Sequence, residues 1–142
     1  MSESAREGGC LCGAIRYRIT GEPLAVSVCH CTDCQRQSGS AFSMSLVARR
    51  EQLTVLTGEP AQFRGHAESG ADKNGFFCHA CGTRLYNTLS SMPDTVNVKP
   101  GTLDDTRWLD PTLQVWTASR QPWLTLPEGL RAFERNPRRR GG

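Results

Sequence analysis

Apolar and polar residues along this chain alternate in runs of five to seven, too short for most helices and well matched to strands. In AIRYRIT, Ile15, Tyr17 and Ile19 alternate with Arg16, Arg18 and Thr20, a period of two that gives a strand one buried face, and Gly21 and Pro23 end it. LAVSV (24–28) reads as a second strand leading into Cys29, and TDCQRQSG (32–39) has the polar composition of a short helical turn closed by Gly39. FSMSLVA is expected to turn Phe42, Met44 and Leu46 inward. QLTVL and AQFRG read as strands joined in a hairpin across Gly58 and Pro60. GFFC, TRLYNTL, TVNVK and LQVWTA supply further strands, and only PEGLRAFE (127–134) has helical character. Short, closely spaced strands predict a mainly β fold, an antiparallel sandwich or folded sheet.

Composition sharpens this picture. A chain of 142 residues fits one domain, expected over 1–134, and its eight prolines and fourteen glycines favour tight turns over long helices. There is no apolar stretch of membrane-spanning length, and the start, MSESAREGG, is polar, so a cytoplasmic protein is expected. The formal charge is +3, but the last twelve residues hold five arginines and one glutamate, a net +4 that leaves the body at −1. Residues 135–142 are therefore expected to form a basic, disordered tail, and a nucleic-acid partner is disfavoured.

The candidate chemistry lies in seven cysteines, an odd number that in a reducing compartment argues for metal thiolates over disulfides. Cys10 and Cys12 form a C-x-C pair and Cys78 and Cys81 a C-x-x-C pair, each followed at once by a glycine, Gly13 or Gly82. Glycine there lets the chain turn tightly and aim backbone N–H groups at sulfur, as in a zinc knuckle. CGAIRY (12–17) and CGTRLY (81–86) repeat the same cysteine, glycine and strand arrangement. Cys29, Cys31 and Cys34 form C-x-C-x-x-C without a fourth cysteine. Three thiolates on one zinc leave a position open, the arrangement of catalytic sites.

Other partitions stay open. The central trio can join CHAC in one site, or a histidine can complete it. His30 alternates away from its flanking cysteines, His79 sits inside a knuckle, and His66 lies in a polar stretch; for each, an ordinary surface or hydrogen-bonded role is the simpler reading. A thioredoxin-like redox role for CTDC or CHAC wants a βαβ setting that this pattern lacks. A thiol or metal sensor, in which the trio trades metal for oxidation, is a further reading.

Taken in order, GGCLCGAIRY, CHCTDCQRQSG, GFFCHACGTRLY and VWTASRQPWL closely resemble the glutathione-dependent formaldehyde-activating enzyme family, to which centromere protein V is related; the resemblance runs from Gly8 to about Pro127. It implies a β-tent fold of short packed antiparallel sheets around zinc knuckles. It implies a structural zinc on Cys10, Cys12, Cys78 and Cys81 and a second, exchangeable or catalytic zinc on Cys29, Cys31 and Cys34. The implied activity is that of a carbon-sulfur lyase, adding glutathione or another thiol to formaldehyde or a related electrophile to give S-(hydroxymethyl)glutathione. Two positions depart from the family pattern, Gln114 in place of a frequent histidine and Gln35 before Arg36 in place of paired arginines.

Glutathione carries two carboxylates, so cationic and amide donors are wanted beside the trio. Arg36, Gln37 and Ser38 follow Cys34 directly, with Lys73 and Asn74 behind them as candidates. Trp108, Trp116, Trp123, Phe76 and Phe77 can wall a pocket, although aromatics at strand spacing more often form plain core. The competing expectation is a non-catalytic, zinc-stabilised binding module that reaches nucleic acid through the arginine tail.

Overall fold

The structure, a computed structural model, describes residues 4–67 and 70–136. Among them the backbone forms β1 (Ala5–Gly9), β2 (Arg16–Thr20), β3 (Ala25–Cys29), α1 (Thr32–Ser38), β4 (Ser43–Arg49), β5 (Leu53–Thr57), β6 (Ala61–His66), β7 (Asp72–Phe77), β8 (Arg84–Leu89), β9 (Met92–Val98), β10 (Leu113–Val115) and β11 (Arg131–Ala132). The expected mainly β architecture is what the chain adopts. Two units are distinguished, one from Met1–Leu24 with Leu46–Leu109, the other from Ala25–Ser45 with Asp110–Gly142.

The first unit carries an antiparallel sheet in the order β1-β2-β5 and an antiparallel array β4-β9-β8-β7-β6. Ile15, Tyr17 and Ile19 are buried as their alternation requires, and they join Leu46, Ala48, Leu85, Val96 and Val98 in one core. The Tyr17 hydroxyl ends in that core on Thr102 Oγ1 at 2.6 Å, which satisfies its polar atom. Where β6 and β7 pair, Phe63 lies across Gly75, and any side chain at 75 would occupy the space of its ring.

The second unit is built on a ladder in the order β3-β10-β11, and both pairings are parallel. These parallel pairings stand beside the expected antiparallel sheets: β10 arrives from a distant segment and is not tied to β3 by a hairpin. Three local expectations are corrected. QLTVL and AQFRG form strands, but β5 pairs with β2 and β6 with β7, so Gly58 and Pro60 join two sheets and close no hairpin. PEGLRAFE contains β11 and turns, with Gly129 at φ 89° breaking any helical run. In FSMSLVA the buried positions are Ser43, Leu46 and Ala48, while Phe42 and Met44 are half-buried. No helix among the described residues is long and apolar enough to cross a membrane.

Candidate metal centres

The first cluster lies within the first unit, on two loops that each turn through a left-handed glycine. After Cys10 the chain turns through Gly13 at φ 83°, whose N–H bonds back to the Cys10 carbonyl at 3.1 Å. After Cys78 it turns through Gly82 at φ 80°, whose N–H bonds back to the Cys78 carbonyl at 2.7 Å. Each loop closes onto its following strand, through Cys10 N–H to Ile15 O and Cys78 N–H to Thr83 O. CGAIRY and CGTRLY thus share a cysteine and a left-handed glycine, but the first turn bonds back from Gly13 to Cys10 and the second, one residue longer, from Gly82 to Cys78.

These turns bring Cys10, Cys12, Cys78 and Cys81 together with all four sulfurs within 4.8 Å of one another. Cys10 and Cys12 Sγ are 3.6 Å apart and Cys12 and Cys78 Sγ 3.8 Å. A regular tetrahedron of zinc–sulfur bonds of about 2.3 Å has edges of about 3.8 Å, so the quartet fits the metal. Backbone donors are already aimed at sulfur: Ile15 N–H reaches Cys10 Sγ at 3.3 Å. Thr83 accepts from Leu11 N–H at 3.1 Å, and its hydroxyl lies 3.2 Å from Cys81 Sγ. That contact, helped by backbone N–H groups of Thr83 and Cys12, pulls the Cys81 thiol down to about 5. Thr83 was missed in the sequence, where its place directly after CHACG was the available signal.

The second cluster lies within the second unit, where β3 ends and α1 begins. Cys29 closes β3 opposite Val115 of β10, and Cys31 is the N-cap of α1, its sulfur accepting Cys34 N–H at 3.2 Å. One turn of helix then returns Cys34 to the other two, and the three sulfurs lie within 4.8 Å of one another. Among the described residues no histidine, carboxylate or fourth cysteine joins the group. The Cys31 and Cys34 sulfurs, and then burial, push the Cys29 thiol far up. Crowded thiolates of this kind are what a dication relieves.

His30 does not join the trio's ligating group, and it is completely buried. Its Nε2–H donates to Gln114 Oε1 at 3.0 Å and its backbone N–H to Val115 O at 3.1 Å, while Nδ1 has no partner among the described residues. Gln35 of α1 donates to His30 O at 2.8 Å and to Ser119 O at 3.3 Å, and accepts from Gln121 Nε2 at 3.1 Å. Gln35 and Gln114 therefore hold the segments that carry the trio. Neither role was legible from spacing alone. Ser119 reaches this network because Trp116, at φ 59°, reverses the chain after β10. Trp116 is held by N–H donation to Arg135 O at 3.2 Å and by Nε1–H donation to Asn136 Oδ1 at 2.9 Å, with the Arg135 guanidinium over its ring.

The remaining candidates divide. Arg36 is exposed and Gln37 half-buried on α1, whereas the Ser38 hydroxyl is engaged locally, donating toward Phe42 O at 3.3 Å and accepting Ser40 N–H. Asn74 and Phe76 line a cavity in the first unit and Lys73 does not. Phe77 pairs with Phe63, Trp108 takes the Arg6 guanidinium on its ring face, and Trp123 is exposed. His66 is an exposed partner of Asp72 and His79 is exposed. Arg135 and Asn136 open the expected tail in contact with Trp116; residues 137–142 lie outside the described residues.

A mainly β chain with two knuckle loops forming one cysteine quartet, and a separate cysteine trio on a strand-to-helix turn, defines a class of cysteine-knuckle β proteins with two clusters able to hold a metal ion. The chain belongs to the glutathione-dependent formaldehyde-activating enzyme family, whose sequence model matches residues 5–119. A Halomonas elongata protein named "Putative glutathione-dependent formaldehyde-activating enzyme" is 26% identical over 102 residues, 69% of this chain; the match spans 65% of that relative's length. A Rhodobacter sphaeroides protein of known crystal structure superimposes with a TM-score of 0.57 at 22% identity, over 74% of this chain and 91% of that one, which supports the fold.

Proposed function

We propose that the chain adds a thiol, glutathione or a close relative, to formaldehyde or another small electrophile, as a carbon-sulfur lyase. One observation carries the reading: three cysteine sulfurs gathered within 4.8 Å, with no fourth ligating side chain in the group among the described residues. Cys29, Cys31 and Cys34 would hold an exchangeable zinc, and Cys10, Cys12, Cys78 and Cys81 a structural one. Bound at the trio, zinc would offer a coordination position to the incoming thiol and lower its pKa.

The chain's own residues do the rest. The Cys34 N–H fixes the Cys31 sulfur, and Gln35, tied to His30 O and Ser119 O, prevents α1 from drifting off β3. His30 and Gln114 form a buried polar prop behind the cysteines that keeps their backbone in place. Arg36 extends from the exposed side of α1, where its guanidinium can pair with a glutathione carboxylate, and Gln37 supplies an amide beside it. Ser38, engaged in the helix C-terminal turn, contributes by shaping that turn.

The test is exchange NMR with 13C-formaldehyde and glutathione, comparing zinc-loaded protein with a variant in which Cys29, Cys31 and Cys34 are all serine. Accelerated formation of S-(hydroxymethyl)glutathione by the parent, lost in the triple variant, is expected. Equal rates for both proteins would overturn the assignment.

A further inference from the structure

A cavity of about 290 Å³ in the first unit has no part in the chemistry above. Its floor is one face of three neighbouring strands. Asn74 and Phe76 of β7 stand directly opposite Thr88 and Tyr86 of β8, and Val96 of β9 continues the surface. The Phe76 and Tyr86 rings are stacked, with centroids 4.6 Å apart and planes 18° from parallel. Arg50 and Leu53 complete the lining, one cationic and one apolar.

The polar side chains on this surface are little used by the fold. Among the described residues the Asn74 amide and the Thr88 and Tyr86 hydroxyls have no side-chain hydrogen-bond partner, and no carboxylate pairs with Arg50, whose Nε makes one long bond to Thr95 O at 3.4 Å. A lining that combines an amide, two hydroxyls and a guanidinium with two stacked rings and two aliphatic side chains has the composition of a small-molecule site: mostly apolar walls with a few polar groups. Burial keeps the Tyr86 phenol protonated, so it serves as a donor.

The donors also select the ligand. A single guanidinium with neutral donors around it matches a carboxylate, whose one charge it balances in a fork-to-fork pair. A phosphate dianion would want a second cation, and Arg50 is the single cationic residue of the lining among the described residues. At about 30 Å³ per water the cavity holds about ten waters' worth of material, hence a molecule of roughly ten non-hydrogen atoms. The stacked rings, Leu53 and Val96 favour a flat, apolar body.

We infer that this cavity is a binding site for small carboxylic acids with a flat apolar body, the carboxylate on Arg50 and the body over Phe76 and Tyr86. The inference does not rest on the thiol chemistry proposed for the trio, and either can fail alone.

Benzoate is the probe, titrated into zinc-loaded, 15N-labelled full-length protein and followed by amide shifts. Saturable shifts confined to Asn74, Phe76, Tyr86, Thr88, Val96 and the Arg50 turn are expected, with a millimolar or tighter dissociation constant. Arg50→Gln, an exposed position whose change leaves the core alone, should weaken benzoate about tenfold or more, and benzyl alcohol should bind the parent correspondingly less well. Thr88→Val serves as a second variant and should weaken benzoate severalfold. Absence of saturable shifts, shifts centred elsewhere, or equal binding by parent and Arg50→Gln would overturn the site.

Discussion

The buried pair of His30 and Gln114 offers the sharpest test of how the trio is held. Gln114→Leu removes the acceptor of His30 Nε2–H, a donor with no access to solvent. Leucine nearly conserves the volume, so cavity formation contributes little. The cost is then that of an orphaned buried donor, about 1–3 kcal/mol. In a chain of this size each kcal/mol corresponds to a melting shift of about 2–4 °C. Because His30 lies between Cys29 and Cys31, the loss should also loosen the trio and lower its zinc affinity, while the quartet, held by its own loops, keeps its ion. The double variant His30→Phe with Gln114→Leu removes donor and acceptor together and should recover about 0.5 kcal/mol or more relative to the sum of the single changes. Urea unfolding of zinc-loaded protein, followed by tryptophan fluorescence, reads the stabilities, and a competing chromophoric chelator reads the two zinc affinities. A Gln114→Leu protein within about 0.3 kcal/mol of the parent, or strictly additive single changes, would refute the reasoning.

Three further outcomes follow from the same structure. Gly82→Ala places a side chain at φ 80° in open space and should cost about 1–2 kcal/mol from backbone strain alone, with Gly82→Asn recovering part of it. Gly58→Ala, at φ 82°, should cost more, because its Cβ would also run into the Ala14 carbonyl; thermal unfolding that ranks the two the other way contradicts the turn geometry. The Arg16 guanidinium, at 2.9 and 2.5 Å, holds the Asp104 carboxyl below its ordinary value. A group so lowered stabilises the fold above its unfolded pKa and loses that effect as pH falls through the folded one, so Asp104→Asn should flatten the acid limb of a stability–pH curve by a small, salt-sensitive amount. Deleting residues 137–142 should leave zinc content and thiol turnover unchanged, whereas deleting 135–142 should lower the melting temperature because Trp116 loses Arg135 and Asn136. Loss of DNA or RNA binding in an anisotropy titration of the shorter deletion would instead favour the binding-module reading.

Local alternation and short spacing made much of this protein legible before its structure. Ile15, Tyr17 and Ile19 announced a strand with one buried face because a period of two has no other economical use, and the glycines after the knuckle cysteines announced φ values that only glycine adopts freely. The strand AREGG was missed because it alternates nothing; its place comes from pairing with β2 and from the close approach of Gly8 to Tyr17. The parallel insertion of β10 beside β3 depends on contacts across more than eighty residues, which no local window contains. Spacing likewise grouped the cysteines, but the props behind them, Gln35, Thr83 and Gln114, are ordinary polar residues until the fold brings them to His30, Ser119 and Cys81.

The division of the cysteines into a closed quartet and an open trio is tested most directly by metal stoichiometry. Zinc content measured by mass spectrometry of the intact protein should be two ions per chain, falling to one when Cys29, Cys31 and Cys34 are replaced by serine, with glutathione binding lost at the same step. One ion in the parent, or two retained by the triple variant, would contradict the account.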